Sequence, residues 1–111
     1  MSTPCIVLTT CGSEPTASTL GRDLVDRGLA ASASLFPVRT FFRFDGQTLE
    51  EEEIQLQVLT SVELYPEVEA AILRLHTYEI PDVVMLRAEA CSAATRSWME
   101  AVLHRRPETQ A

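Results

Sequence analysis

The sequence predicts a single α/β (α+β) domain over residues 1–111, with elements in the order β-α-β-β-α-β and one more helix at the C-terminal end. Three observations carry this prediction. Short β-branched apolar runs alternate with stretches of helical periodicity. An Asp45-Gly46 pair lies between two strand-like stretches and marks a tight hairpin. Serines stand just ahead of the helical stretches, where a hydroxyl satisfies a free backbone N–H.

Residues 5–10 (CIVLTT) read as a buried first strand. Ser13 offers an N-cap and Pro15 suits a first helical turn. Ala17, Leu20, Leu24 and Gly28 follow at helical spacing, with Arg22, Asp23, Asp26 and Arg27 largely on the other side. Gly28 is a natural stop. Residues 30–44 hold β-formers without a helical stripe, and strand three is expected over residues 49–59. Ser61 can cap a second helix striped by Leu64, Val68, Ala71, Ile72 and Leu75, with Pro66 tolerable only near its start. Pro81 opens a fourth strand, residues 82–88. Ser92 caps a last helix bearing Trp98, Ala101 and Val102. His104, Arg105 and Arg106 suit the negative end of that helix, and Pro107 stops it. This is the split β-α-β, ferredoxin-like order with one helix added.

The hairpin poses a problem of parity. A two-residue turn at Asp45-Gly46 pairs Phe42 with Leu49, Phe41 with Glu50 and Arg39 with Glu52. Phe42 and Phe44 then share a face with Glu51, Glu53 and Gln55, while Ile54 and Leu56 share the other with Pro37 and Leu35. Since a one-residue slip reverses every face, we expect a break or bulge within a residue or two of Pro37, which has no ladder donor. We also expect both faces of the ribbon to be covered, one by helices and one by another subunit. A four-stranded sheet of this size cannot hide both sides of the hairpin, and a large apolar patch marks an interface. Trp98 and the cluster of Phe36, Phe41, Phe42 and Phe44 read as core and interface.

Composition closes off several functions. The net charge is −7, and all nine basic residues are arginines. An acidic chain repels phosphate backbones, so no nucleic acid is expected as partner. The lack of lysine removes Schiff-base chemistry and a Walker-type phosphate loop. Cys5, Cys11 and Cys91 form no CxxC pair and read as small buried hydrophobes in a reducing compartment. Residues 1–5 lack a signal-peptide pattern and no apolar run reaches membrane-spanning length, so a cytoplasmic location and no membrane partner are expected. Cys11, Ser32 and Ser34 have no identifiable base with an orienting partner, and no GxSxG elbow occurs. The chain is therefore not expected to be an enzyme.

Val7–Thr10 (VLTT), Arg27–Ser32 (RGLAAS), Phe42–Gln47 (FRFDGQ), Leu75–Val83 (LHTYEIPDV) and Ser97–Met99 (SWM) together resemble the CutA family, known for divalent cation tolerance. The likeness runs from about residue 4 to residue 104. It implies a homotrimer joined at the long hairpin, a role in the response to metal ions, and binding of copper or another divalent cation, with no cofactor required. The chain departs from the family pattern at Ser32, Ser34, Phe44, Gln47, Leu59, Thr77 and Thr95, most of them positions of lost polar or reactive groups. Two other functions stay open: a PII-like regulatory trimer binding a small ligand at subunit clefts, and a structural trimer without ligand. The short Asp45-Gly46 turn and the missing lysines argue against the first.

The best candidate metal constellation is His76 with Glu79 and Asp82, close in sequence to Tyr78, and with Cys11 supplying a thiolate. Imidazole, carboxylate and thiolate suit a divalent transition metal. A second reading places His76 at a helix C-terminus, donating to a carbonyl, with Tyr78, Glu79 and Pro81 shaping the turn. Glu50, Glu51, Glu52 and Glu53 read as a solvated edge with Arg39 and Arg43 as partners, because alternate strand residues point to opposite faces.

Overall fold

Alternation along the first strand sets the layers. Cys5, Val7 and Cys11 are apolar and fully buried, whereas Ile6, Leu8 and Thr10 between them are only partly covered. The computed structural model, which describes residues 2–103, builds four strands into one antiparallel sheet. They are β1 (Pro4–Cys11), β2 (Ser32–Phe44), β3 (Gln47–Ser61) and β4 (Val83–Arg87), in the spatial order β2-β3-β1-β4. Three helices join them: α1 (Glu14–Asp26), α2 (Tyr65–Leu75) and α3 (Ala93–Val102). The architecture is the ferredoxin-like α+β sandwich that the sequence predicts. His104, Arg105, Arg106 and Pro107, read as the basic end and stop of the last helix, lie outside the described residues.

The core lies between the sheet and helices α1 and α2. Val7, Leu56 and Val58 from the sheet meet Leu20 and Leu24 of α1 and Val68 and Ile72 of α2, all with no exposed surface. Burying each such side chain contributes about 1.5–3 kcal/mol.

Local chemistry fixes the helix ends. The Ser13 hydroxyl accepts from Thr16 N–H at 3.3 Å and that of Ser92 from Thr95 N–H at 3.1 Å. Gly28 ends α1 in the left-handed region, φ 71°, which brings Leu29 N–H onto the Leu24 carbonyl. Ser61 caps a 3-10 turn, Val62–Leu64, which then leads into α2. In α3 the residues singled out from the sequence are not the buried ones. Met99 is the buried residue and Leu103 packs on the core, whereas Trp98 and Val102 are each 44% exposed. Ala101 is exposed too. A short helix with apolar residues around much of its girth does not announce which side will face in. The aromatic cluster is likewise not core within the chain, since Phe36, Phe41 and Phe44 are 41%, 63% and 66% exposed.

The expected break at Pro37 does not occur. β2 and β3 pair without interruption from Ser32 opposite Leu59 to Phe44 opposite Gln47, with Pro37 opposite Ile54. The turn explains why. Asp45 and Gly46 have φ of 55° and 78°, the two-residue type that closes on a hydrogen-bonded pair. Hydrogen-bonded and non-bonded pairs alternate from there. Counting back from Phe44, Pro37 lands on a non-bonded pair, where its nitrogen faces the free edge of the sheet and no ladder donor is lost. Parity is then satisfied by giving the ribbon two apolar faces. Ala33, Leu35, Ile54 and Leu56 turn toward the helices, and Phe36, Val38, Phe42 and Leu49 turn away.

Candidate functional site

The end of β1, the middle of β3 and the segment between α2 and β4 meet at one end of the sheet. α2 finishes at Leu75, and His76 caps it in extended conformation, its N–H on the Ile72 carbonyl at 2.8 Å. The chain then folds back across the end of β1 before β4 starts at Val83.

His76 anchors this segment through both ring nitrogens. Nε2 lies 2.9 Å from the Thr10 carbonyl, and Nδ1 lies 3.0 Å from the Tyr78 amide nitrogen. A carbonyl only accepts and a backbone amide only donates, so Nε2 carries the proton and Nδ1 presents its lone pair. The Tyr78 ring tilts against the imidazole, with centroids 4.9 Å apart. It also lies over Gly12, where a Cβ would stand only 3.1 Å from the phenol oxygen. Its hydroxyl donates to Glu53 Oε2 at 2.5 Å. Burial first, and then the Glu53 carboxylate, push the phenol well above its ordinary range.

Asp82 clasps Thr10 at two points. Oδ1 accepts the backbone N–H and Oδ2 the hydroxyl, each at 3.1 Å. Cys11 Sγ lies 3.8 Å from His76 Nε2. Burial, with the Asp82 and Glu53 charges adding to it, pushes this thiol up to about 11. Glu79 is exposed and joins none of these bonds.

Of the four candidate ligands, then, His76, Cys11 and Asp82 converge on the end of β1 and Glu79 does not. Convergence alone does not make a coordination shell. The sulfur-to-nitrogen spacing would suit two ligands on one ion, but a metal needs a free imidazole lone pair. Both ring nitrogens and both Asp82 oxygens are engaged in bonds within the fold. Among the described residues no group of three or more His, Cys, Asp or Glu side chains could hold a metal ion. The donor set does not fit a resident cation. The reading of His76 as a helix-terminal residue donating to a carbonyl agrees with the observed bonds.

Sequence reasoning missed Glu53. Glu50, Glu51 and Glu52 are exposed, as a solvated edge requires, but Glu53 is only 8% exposed. Its place opposite Val38, on the face of Phe36 and Phe42, was the available signal. The arginines divide as well. Arg39 pairs with Glu50 at 3.3 Å, whereas Arg43 bonds Thr48 Oγ1 and the Gly46 carbonyl and so braces the turn.

The pattern of the CutA1 divalent ion tolerance protein family matches residues 5–102. The chain belongs to that family. It is 33% identical over 82 residues to the divalent-cation tolerance protein CutA of Thermus thermophilus, covering 73% of this chain and 80% of that one. The vertebrate CutA relatives are longer, and the chain spans about half their length. Among solved structures, CutA from Synechococcus elongatus superposes with a TM-score of 0.88 at 30% identity, over 94% of this chain and 93% of that one. A second structure, from Archaeoglobus fulgidus, gives 0.88 at 23% identity over 91% and 99%. Its name calls it a periplasmic divalent cation tolerance protein.

Proposed function

We propose that this divalent-cation tolerance protein works as a homotrimer in the cytoplasm and carries out no enzymatic turnover. The observation behind the assembly is the sheet face turned away from α1 and α2. Ile6 and Leu8 of β1, Leu59 of β3, Val84 and Leu86 of β4 and Phe36 of β2 share that face. Phe36, Val84 and Leu86 are 41%, 50% and 52% exposed. An apolar surface running across every strand of a sheet calls for a cover of protein. The number three follows from the resemblance at the hairpin and the other quoted motifs, and the cover is a second and third copy of the chain.

Copper or another divalent cation, in this reading, is met by the assembled protein and is not a built-in part of the fold. Reading the chain as a PII-type regulator gains nothing from the hairpin, which closes on two residues and builds no long loop there. Light scattering on the purified protein at micromolar concentration tests the assembly. Three times the chain mass of 12.3 kDa is expected, and a mass of one chain rejects it.

A further inference from the structure

We propose that His76 is a neutral latch that fastens the segment between α2 and β4 to the end of β1, and that its imidazole is not a ligand for a divalent cation in this chain. This departs from the metal constellation that the sequence suggests around His76, and it stands independently of the trimer. His76 already spends its backbone N–H and both ring nitrogens within the fold. Its amide is spent on Ile72, its Nε2–H on Thr10, and its Nδ1 lone pair on the Tyr78 amide. A cation at Nε2 would need the ring to give up its proton and leave the Thr10 carbonyl. A cation at Nδ1 would displace the Tyr78 N–H and break the bond that sets Tyr78 against the end of β1.

The neighbours offer no compensation. Asp82 already accepts two bonds from Thr10, Glu53 accepts the Tyr78 hydroxyl, and Glu79 stands apart in solvent. What the ring does instead is set Tyr78. With the Tyr78 amide fixed on Nδ1, the phenol reaches across Gly12 to Glu53, so one imidazole ties α2, β1 and β3 together. Gly12 belongs to the device, because a side chain there would occupy the space of the phenol.

Nitrogen-15 correlation spectra of the histidine rings at neutral pH, with and without one equivalent of zinc(II), test the latch on the parent protein. The His76→Asn variant identifies the His76 signals. The expected result is an Nε2–H tautomer whose shifts zinc leaves in place. Amide exchange provides a second readout. Asn places an acceptor near the position of Nδ1, so His76→Asn keeps Tyr78 amide exchange within about threefold of the parent, whereas His76→Ala raises it by at least about tenfold. Copper(II) affinity by isothermal titration stays within about twofold across all three proteins. An Nδ1–H tautomer, a zinc-shifted ring nitrogen, or copper binding weakened about tenfold in both variants would each overturn the proposal. Should His76→Ala fail to fold, the tautomer and the zinc response of the parent decide.

Discussion

Cys5 and Cys11 occupy the helix-facing side of β1 with no exposed surface, and burial raises each thiol from about 9 to about 11. Nearby carboxylates add to the effect, Glu63 at Cys5 and Asp82 with Glu53 at Cys11. The consequence is a stability that falls in alkali. Below pH 9 both states keep their thiol protons. Between 9 and 11 the unfolded chain loses protons that the folded chain retains, so unfolding is increasingly favoured as pH rises. The loss approaches roughly 2–3 kcal/mol per thiol once pH passes 11. Urea unfolding at pH 8 and pH 10.5 should show a clear drop in midpoint, and Cys11→Ala should remove about half of the thiol contribution. A midpoint that does not move between those pH values would contradict this account. The raised Tyr65 and Tyr78 phenols act in the same direction at still higher pH.

The β2–β3 ribbon shows how register decides the meaning of a residue. Proline in a strand is costly where its N–H would have joined the ladder and tolerable where that group faces an edge. Pro37 lies on the edge strand of the sheet, opposite Ile54. Pro37→Val should therefore leave the pairing of β2 with β3 unchanged and alter the unfolding free energy by less than about 1 kcal/mol. Cross-strand contacts measured by NMR, Phe36 with Gln55 and Val38 with Glu53, would check the register. A shift of either contact by one residue would show that the proline had been holding the strand in place. Toward the turn Arg39 pairs with Glu50 across the ribbon, an exposed pair of small energetic weight.

At the scale of the whole molecule, the sheet has one face filled by helices and one that is not. Val84 and Leu86 are good probes because each is about half exposed in the single chain, so a charge there costs the monomer fold little. In an assembly that covers this face the same charge would be buried without a partner, at a cost of several kcal/mol. The double variant Val84→Glu, Leu86→Glu should elute with the mass of one chain and keep the parent's far-ultraviolet circular dichroism. Leu73→Glu, on the outer side of α2 and 52% exposed, serves as the control and should leave the mass unchanged. A trimeric double variant would place the subunit contacts elsewhere.

Much of this protein was legible in its residues because the relevant forces are local. Ser13 and Ser92 cap, Gly28 stops a helix, Asp45-Gly46 turns a hairpin, and the alternation of CIVLTT sets a buried face, each through contacts within a few positions in sequence. The parity of the ribbon was legible too, and so was the gathering of His76, Cys11 and Asp82 at one site. What the sequence left undetermined depended on groups brought together from far along the chain. The inward side of α3 was settled by where Met99 and Leu103 found space. The burial of Glu53 required Tyr78, 25 positions away, to arrive over Gly12. The role of His76 rested on whether its two nitrogens were free, and the Thr10 carbonyl, 66 positions away, took one of them. Residue type states what bonds a side chain can make; the tertiary structure assigns the partners, because a buried donor or acceptor must find one.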